Sequence, residues 1–460
     1  MEQRIVNALA AIVGPENFSA SEAERSCASY DGTGREYLPE AVVWPGTVAE
    51  VSRIMALASR ERLPVVARGA GSGMTGGALP VRGGLVLAMS RFDKIITIDA
   101  ANQTAVVEPG VVTGVLQAEV RRHGLFYPPD PASLKFCTIG GNVAECAGGP
   151  SAVKYGVTRD YVKGLEVVLA DGRIIHTGVR TDKGVVGYDL TRLFVGSEGT
   201  LGVITKITLR LIPLPQARQT ILVLTASMAA AATLVARVLT RFTPCTLEFM
   251  DRTAIRIVAD QLPQALPPGT EALLLMELDG TPAAVASEGA ELQGFLQKQP
   301  GVLVVRLAQD QAEVDGLWAA RRGVSPAAFS LRPHKVSEDV VVPRTAIPEL
   351  VACAEGLARE LDLVIFCFGH AGDGNIHVNI MLDRTDPTQV AHAETAKQRL
   401  FTQVMTLGGT LSGEHGVGIT KAGALTMELD PPTILVMKQI KQALDPANIM
   451  NPGKIFPERE

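Results

Sequence analysis

One segment, Val65-Val-Ala-Arg-Gly-Ala-Gly-Ser-Gly-Met-Thr-Gly-Gly77, is unusually rich in glycine, with five glycines in nine residues after a short apolar run. Because glycine has no Cβ, such a loop can point successive backbone N–H groups at a phosphate. The stretch contains a formal G-x-G-x-x-G, from Gly71 to Gly76, but Leu79-Pro-Val-Arg-Gly-Gly84 follows it and leaves no room for a helix. A Rossmann dinucleotide site is therefore not indicated, and either a phosphate-binding loop or a structural turn explains the glycines.

Two further glycine-rich stretches lie downstream of this loop. One runs from Tyr127-Pro-Pro-Asp-Pro131 to Cys137-Thr-Ile-Gly-Gly-Asn-Val-Ala-Glu-Cys-Ala-Gly-Gly149, and the other is Phe194-Val-Gly-Ser-Glu-Gly-Thr-Leu-Gly-Val-Ile204. Both offer backbone donors and small residues that allow close approach to a flat ligand. Three such stretches in one region are difficult to explain as turns alone, so they predict a cofactor site.

A different pattern appears in Phe368-Gly-His-Ala-Gly-Asp-Gly-Asn-Ile-His-Val-Asn379. An apolar run, a Gly-Asp-Gly-Asn turn signal and an alternating strand predict a β-hairpin. Side chains alternate along a strand, so His377 and Asn379 share one face of it. His370 ends the incoming strand and can meet that face across the turn.

The segment Ser412-Gly-Glu-His-Gly-Val-Gly418 follows, and its Glu414 and His415 could reach the same point. Two imidazoles and a carboxylate, with open positions, suit a catalytic divalent metal. The alternative is that the histidines are hydrogen-bonded residues in the core of a sheet. Asp373 and Asn375 are expected to be turn formers rather than ligands.

Composition places the chain among globular proteins. Its 460 residues and 47% hydrophobic content allow two or three domains, and the net charge is −5. No Lys/Arg cluster interleaves with aromatics, so nucleic acid is not an expected partner. Scattered thiols and a start without the apolar core of a signal peptide predict a cytoplasmic protein. Neither a C-x-x-C pair nor an iron–sulfur ligand run is formed by the six cysteines, Cys27, Cys137, Cys146, Cys245, Cys353 and Cys367.

The most apolar stretch, residues 221–239, is interrupted by polar residues and falls short of a membrane span. We expect a strand at 221–224 and then a helix capped near Ser227. Other expected elements are strands at 272–278 and 302–307 and a helix at 390–407.

The pattern divides the chain into three parts, and the expected fold class is α+β. Residues 1–213 alternate β-branched runs with glycine-rich turns and single helices, such as 48–60 with Thr47 as its cap. Residues 214–411 alternate strands with long alanine-rich helices, which predicts an antiparallel sheet with helices on one face. Residues 412–460 end in a compact, turn-rich tail that is expected to be pinned to another part of the fold.

Taken together, these residues resemble the flavoproteins of the vanillyl-alcohol-oxidase type over nearly the whole chain. Within that superfamily the chain looks like the branch of the glycolate oxidase catalytic subunit, D-lactate dehydrogenase and D-2-hydroxyglutarate dehydrogenase. The resemblance implies a two-lobed FAD-binding domain at 1–213, an α+β cap domain with an antiparallel sheet and a metal site at 214–411, and a segment at 412–460 that returns to the FAD-binding domain.

The resemblance further implies which residues hold FAD. Relatives that attach FAD covalently often carry a histidine in the glycine loop, and this loop has none, so a non-covalent flavin is implied. The implied FAD-binding residues are Arg68, Gly69, Ala70, Gly71, Ser72, Gly73, Met74, Thr75, Gly76, Gly77, Pro129, Asp130, Thr138, Gly140, Gly141, Asn142, Gly148, Gly156, Thr158, Val162, Ile204 and Asn451.

By the same similarity, a divalent metal (Zn, Mn or Fe) is held by His370, His377 and Glu414. The resemblance places Asn379 and His415 towards the substrate. A metal lowers the pKa of a bound hydroxyl, and a histidine such as His415, with a reference pKa near 6.5, suits the general base that accepts its proton.

Cations for a substrate carboxylate are implied in two matching segments, Trp318-Ala-Ala-Arg321 and Lys335-Val-Ser-Glu-Asp-Val-Val-Val-Pro343. Arg321 can form two parallel hydrogen bonds, and Lys335 adds a compact charge. The alternative for Arg321 is an ion pair on its own predicted helix, with Asp315 or Glu313.

The leading hypothesis is an FAD-dependent dehydrogenase that oxidises a short D-2-hydroxy acid. D-lactate is favoured, because Lys335 fits the lactate and hydroxyglutarate members better than some glycolate subunits. Alternatives are the glycolate oxidase catalytic subunit, D-2-hydroxyglutarate dehydrogenase, a metal hydrolase and a non-catalytic FAD-binding subunit for electron transfer. Electrons are expected to pass to a protein, an iron–sulfur subunit or an electron-transferring flavoprotein, through which the chain could associate with a membrane.

Overall fold

The structure is a computed structural model that describes residues 1–457. The strands are β1 (Phe18–Ser19), β2 (Ala41–Val43), β3 (Val65–Arg68), β4 (Leu85–Ala88), β5 (Ile95–Asp99), β6 (Thr104–Val107), β7 (Leu125–Phe126), β8 (Val162–Val168), β9 (Ile174–Gly178), β10 (Val203–Arg210), β11 (Ile212–Pro213), β12 (Ala217–Thr225), β13 (Thr246–Asp251), β14 (Ala272–Gly280), β15 (Val302–Leu307), β16 (His334–Val341), β17 (Val364–His370) and β18 (Asn375–Leu382).

The α-helices are α1 (Gln3–Val13), α2 (Glu22–Cys27), α3 (Val48–Glu61), α4 (Thr113–Arg122), α5 (Ile139–Glu145), α6 (Ala152–Tyr155), α7 (Leu190–Phe194), α8 (Met228–Leu239), α9 (Arg252–Ile257), α10 (Pro282–Leu296), α11 (Gln311–Ala327), α12 (Ile347–Glu360), α13 (Pro387–Thr406), α14 (Leu425–Glu428) and α15 (Pro431–Leu444). The expected helix after Thr47 is confirmed as α3, and the Thr47 hydroxyl accepts a hydrogen bond from the N–H of Glu50. Mixed helix and strand content confirms the α+β class.

The chain folds into two compact units. The first contains Met1–Gly148, Val157–Leu214 and the C-terminal part from Glu414 onwards. The second contains Gly149–Gly156 and Pro215–Gly413. Each unit is therefore built from segments that are separated in the sequence.

The first unit contains two larger sheets. One has the order β1-β2-β4-β3, in which β2 and β3 each run parallel to β4, and the other is an antiparallel sheet of order β5-β6-β10-β8-β9. Apolar residues of α3, such as Ile54 and Met55, pack with strand residues such as Leu85 and Leu87 into one core. Two sheets in one unit agree with a two-lobed FAD-binding fold.

The second unit is built on a seven-stranded sheet of order β15-β12-β14-β13-β17-β18-β16, with antiparallel neighbours throughout. The antiparallel sheet is confirmed, but the expectation of helices on one face is wrong. Leu222 faces α9 and α11 in one core cluster, whereas Gln219, on the opposite face of β12, lies against Gly289 of α10. Strand β14 is buried on both faces, and its first five residues, 272–276, form a continuous apolar run. Strand β18 is also buried on both faces, although polar residues alternate with apolar ones along it.

The apolar stretch at 221–239 forms part of β12 and then α8, with the Ser227 hydroxyl accepting from the N–H of Ala230. This confirms the expected strand and capped helix. Within residues 1–457, every helix is too short or too polar to span a bilayer.

Candidate active site

The three glycine-rich stretches meet around α5 in the first unit. Gly69 lies so close to Thr138, the N-cap of α5, that a Cβ at Gly69 would collide with the threonine hydroxyl. From the third stretch, the N–H of Gly196 donates to the carbonyl of Val143 in α5, at 2.9 Å. Segments that are far apart in the sequence therefore form one continuous backbone surface.

The glycine loop itself follows β3 and contains no helix, as its sequence predicts. Arg68 donates from Nη2 to the carbonyl of Tyr30 at 2.7 Å, and its guanidinium lies against Gly71. Beside Gly73 the space is open, because no described atom lies within 4 Å of a Cβ built there. The loop backbone is thus supported by the Arg68 guanidinium at Gly71 and is accessible at Gly73. Accessible backbone N–H groups of this kind fit a phosphate group.

Residues that follow the second unit in the chain lie along this loop. The Thr75 hydroxyl donates to the carbonyl of His415 at 2.9 Å, and the N–H of Ile419 donates to the carbonyl of Thr75 at 2.8 Å. Through its hydroxyl and its carbonyl, Thr75 therefore fixes the segment from His415 to Ile419 along the predicted FAD loop.

The C-terminal tail is also fixed to this region, which confirms that it is pinned. Asn451 donates from Nδ2 to the carbonyls of Gly77 and Glu198, at 2.8 Å each. Lys454 donates from Nζ to the carbonyl of Leu79 at 2.6 Å. Both side chains are buried, so the tail is a structural part of the glycine loop.

Glu414 lies beside a residue that the family resemblance assigns to FAD. A Cβ built on Gly148 would come within 2.8 Å of Glu414 Oε2, so a larger residue there would displace this carboxylate. Glu414 and His415 each offer a ligand atom, and these atoms lie within 4.8 Å of one another. The predicted base and one predicted metal ligand are thus neighbours in the first unit.

The remaining residues predicted to hold FAD belong to the first unit, except Gly156, which belongs to the second. Some of them also have structural partners. Asn142 donates from Nδ2 to the Thr113 hydroxyl at 2.7 Å, and the Thr158 hydroxyl donates to the carbonyl of Ala147 at 2.7 Å. Their assignment to FAD stays a prediction.

In the second unit, the predicted hairpin is confirmed as β17 and β18, with Phe368 opposite His377. Gly374, the last residue of the turn before β18, has φ 87°, and a Cβ there would collide with the carbonyl oxygen of Val342. The turn therefore requires glycine. The rings of His370 and His377 meet edge to face, with their centroids 5.2 Å apart.

His370 is held by a buried carboxylate that sequence reasoning missed. Its Nδ1 lies 2.6 Å from Glu248 Oε1, and Glu248 Oε2 lies 2.5 Å from Arg321 Nη2. Burial raises the pKa of Glu248, but the charges of His370 and Arg321 outweigh it and hold the pKa below its ordinary value. Glu248 was detectable in principle, as a charged residue in the apolar run of β13.

His377 is backed by a second carboxylate, Asp339, which lies opposite it on β16. The distance from His377 Nδ1 to Asp339 Oδ1 is 3.7 Å. Asp339 also accepts from Asn375 Nδ2 at 2.6 Å and from the N–H of Gly413 at 2.9 Å. Asp339 was not among the predicted site residues, although it lies four positions after Lys335 in the same strand, β16.

The turn residues differ in their roles. Asp373 accepts from the N–H of Asn375 at 3.1 Å and is a turn former, as expected. Asn375 is more than that, because its buried amide joins the turn to Asp339. Asn379 is fully buried, accepts from the Ser337 hydroxyl at 3.0 Å and donates to the carbonyl of His377 at 3.2 Å.

Arg321 does not pair with an acid of its own helix, so that alternative is wrong. Glu313 pairs with Arg306 instead, and Asp315 accepts from Gln311 at 2.9 Å. The guanidinium of Arg321 lies over the ring of Phe368, 4.6 Å from its centre. Its Nε is buried and finds no hydrogen-bond acceptor among residues 1–457, so a donor remains for a ligand.

Lys335 approaches the same helix as Arg321. Its Nζ lies 2.5 Å from the hydroxyl of Ser325, which is one turn after Arg321 on α11, and 5.5 Å from the centre of the Phe329 ring. Burial lowers the pKa of Lys335. Of the two predicted carboxylate-binding cations, Arg321 is therefore buried and Lys335 is half-buried against α11.

The residues of the second unit fit a divalent metal. The two imidazoles share one buried patch. His370 has a carboxylate at hydrogen-bond distance, which is the usual surrounding of a metal-binding histidine, and His377 lies 3.7 Å from a second carboxylate. Asp339 adds a carboxylate oxygen near His377. The binding of Glu414 to the same ion stays a prediction.

Comparison with known proteins agrees with these features. Residues 214–455 match the family described as FAD linked oxidases, C-terminal domain, and residues 39–178 match the FAD binding domain. The chain is 44% identical to the glycolate oxidase subunit GlcD of Bacillus subtilis, over 97% of this chain and 95% of that protein. It is 35% identical to the D-lactate dehydrogenase of Anaerostipes hadrus, over 91% of this chain and 89% of that protein.

Among solved structures, p-cresol methylhydroxylase with bound substrate matches with a TM-score of 0.81, over 98% of this chain and 96% of that one. The sequence identity is 19%, so this likeness shows the fold alone. The two family matches and the close relatives show more. The chain belongs to the FAD-linked oxidases of the vanillyl-alcohol-oxidase type, in the branch of glycolate oxidase subunits and D-lactate dehydrogenases.

Proposed function

We propose that this FAD-linked oxidoreductase oxidises a short D-2-hydroxy acid to the 2-oxo acid, with D-lactate ahead of glycolate. Glycolate and lactate, the substrates named for the relatives, are both 2-hydroxy acids. The observation that carries the proposal is a buried group in which the carboxylate of Glu248 contacts both the His370 imidazole and the guanidinium of Arg321, the predicted cation for the substrate carboxylate.

In this proposal Arg321 and Lys335 share the substrate carboxylate. Arg321 has a buried Nε donor that finds no acceptor in the part of the chain described, and Lys335 adds a second positive charge along the same helix. A fixed carboxylate orients the α-carbon, which is the chief contribution of protein residues to hydride chemistry. Asn379 would complete the wall beside the α-hydroxyl.

His370, His377 and Glu414 would hold a divalent metal. Such an ion, when bound, lowers the pKa of a hydroxyl that it contacts, and FAD, when bound, accepts a hydride. An imidazole nitrogen of His415 would take the hydroxyl proton.

The electron acceptor is proposed to be a protein, an iron–sulfur subunit or an electron-transferring flavoprotein. The glycine loop lacks the helix that a nicotinamide site of the Rossmann type needs. The Bacillus subtilis relative is named as a subunit, which supports a partner. A metal hydrolase is not favoured, because it would leave the FAD-binding domain without a role.

Anaerobic reduction of the flavin tests the proposal. Purified protein is mixed with D-lactate, L-lactate, glycolate and D-2-hydroxyglutarate, and flavin absorbance is followed by stopped flow. We expect D-lactate to bleach the flavin fastest. The substrate assignment is wrong if L-lactate is faster than every D-acid, and a flavin that no 2-hydroxy acid reduces would support a non-catalytic subunit.

A further inference from the structure

We propose that Glu248 is a positioning residue that fixes the His370 imidazole for a metal and the Arg321 guanidinium for a substrate carboxylate. The inference rests on the proposed function, because it concerns the same two ligands. In this proposal Glu248 touches neither the metal nor the substrate, but it contacts the two side chains that would bind them.

The position of Glu248 follows from strand register. Strand β13 pairs with β17 through Phe249 opposite Gly369 and Met250 opposite Phe368. Continuing this antiparallel register sets Glu248 opposite His370, so their side chains are direct cross-strand neighbours. The side chain of Glu248 is fully buried.

One carboxylate oxygen of Glu248 determines which nitrogen of His370 would face a metal. Glu248 Oε1 lies 2.6 Å from Nδ1, and a carboxylate only accepts, so Nδ1 carries the proton. In the neutral form of His370, a metal would therefore be bound through the other ring nitrogen, Nε2. This carboxylate–histidine arrangement fixes both the tautomer and the ring orientation of a metal ligand.

The second oxygen holds Arg321. Glu248 Oε2 lies 2.5 Å from Nη2, while the ring of Phe368 supports the guanidinium plane from one face. With these two contacts the guanidinium has little freedom. Its Nε, which finds no acceptor among residues 1–457, therefore points in a fixed direction.

A purely structural ion pair is the competing explanation, and the chain offers a matched example. Glu277 lies on the adjacent strand β14, is 3% exposed, and contacts Arg218 at 3.4 Å. It accepts from the Trp318 indole and the Thr220 hydroxyl, at 2.7 Å each. Glu277 is thus a buried carboxylate of similar environment that contacts no predicted ligand-binding group.

The experiment compares Glu248→Gln with Glu277→Gln in the FAD-loaded protein. Zinc affinity is measured by competition with a chelator, and oxalate affinity is measured at saturating zinc from the change in flavin absorbance. The unaltered protein must first bind zinc and be reduced by a 2-hydroxy acid, and failure at that step contradicts the proposed function rather than the role of Glu248.

For Glu248→Gln we expect zinc affinity to fall by roughly 10- to 100-fold, the usual effect of removing an orienting carboxylate. Oxalate affinity should also fall, because Arg321 loses its anchor. Glu277→Gln should lower the melting temperature and leave both affinities unchanged. Unchanged affinities in Glu248→Gln, or equal losses in both variants, would overturn the proposal.

A measurement on the unaltered chain decides the matter if Glu248→Gln does not fold. Histidine labelled with ¹⁵N reports the tautomer of each of the seven histidines, and His370 is assigned by the signal that His370→Gln lacks. We expect a protonated Nδ1 in the zinc-loaded protein. An Nδ1 without a proton would contradict the hydrogen bond on which the proposal depends.

Discussion

At the scale of single residues, each of the two histidines of the hairpin has a nearby acidic side chain. His370 faces Glu248 and His377 faces Asp339, and both acids are buried. A buried carboxylate without a partner is costly, which favours the contacts of Glu248 with His370 and Arg321. Asp339 is also held by the amide of Asn375 and the N–H of Gly413. A carboxylate that orients an imidazole, as Glu248 does for His370, suits a predicted metal ligand.

Replacing His377 by alanine should remove the metal and nearly all turnover but keep FAD, because the predicted FAD residues other than Gly156 lie in the first unit. Metal analysis and the flavin spectrum measure the two effects. His392→Ala is the control, since His392 also uses its Nδ1, at 2.7 Å from the carbonyl of Leu361, and belongs to no predicted site. An active, metal-free His377→Ala would contradict the assignment.

Replacing Lys335 by alanine should reduce kcat/KM roughly thirty- to several-thousand-fold, because a charge-assisted bond is lost. This corresponds to a loss of about 2–5 kcal/mol of transition-state stabilisation. Lys335→Arg need not restore activity, since the guanidinium has a different shape. Normal flavin reduction by Lys335→Ala would exclude the carboxylate role.

The same lysine predicts a dependence on pH. Burial lowers the pKa of Lys335 from its ordinary 10.5, so the ammonium loses its proton at a lower pH than an exposed lysine. Only the ammonium attracts a carboxylate, so kcat/KM should decrease as pH rises through that lowered pKa. Lys335→Ala should lack this alkaline decrease when kcat/KM is measured against pH.

At the scale of elements, the hairpin of β17 and β18 carries His370, His377 and Asn379. Its turn is short, and its register sets which side chains face β13 and β16. A slip of one residue would turn every side chain to the opposite face. The geometry of the turn is therefore a condition for the metal site.

A pair of glycine substitutions tests this requirement. Gly374→Ala should destabilise the protein by about 1–3 kcal/mol and weaken metal binding, because φ is 87° and a Cβ would collide with the carbonyl of Val342. Gly356→Ala, within α12 and with no described atom within 4 Å of its Cβ, should stabilise it by about 0.5–1 kcal/mol. Denaturant unfolding gives both values, and equal effects would show that the turn does not need glycine.

At the scale of the whole molecule, the FAD-binding unit is assembled from three segments of the chain. Asn451 joins the tail to Gly77 of the glycine loop and to Glu198 of the third glycine stretch. Loss of this tail should therefore affect the glycine loop, although the tail is distant from it in sequence.

The flavin should be non-covalent, because the loop from Gly69 to Gly77 contains no histidine. Acid precipitation and centrifugation should leave the yellow colour in the supernatant. Colour that stays with the pellet would show a covalent bond, at a residue outside this loop.

Several local elements could be predicted from neighbouring residues alone. The Thr47 cap, the Gly-Asp-Gly-Asn turn and the glycine loop after β3 all depend on neighbouring residues, whose backbone preferences are local. The family and its FAD-binding domain were also evident from motifs.

The acidic partners of the two histidines, by contrast, became evident only in the folded structure. Glu248 is 122 positions from His370, and the pairing of β13 with β17 brings them together. Asp339 meets His377 through the pairing of β16 with β18. Sheet order and register arise from packing of whole strands, which no local pattern encodes, so the partners of the histidines and of Arg321 appear only in the fold.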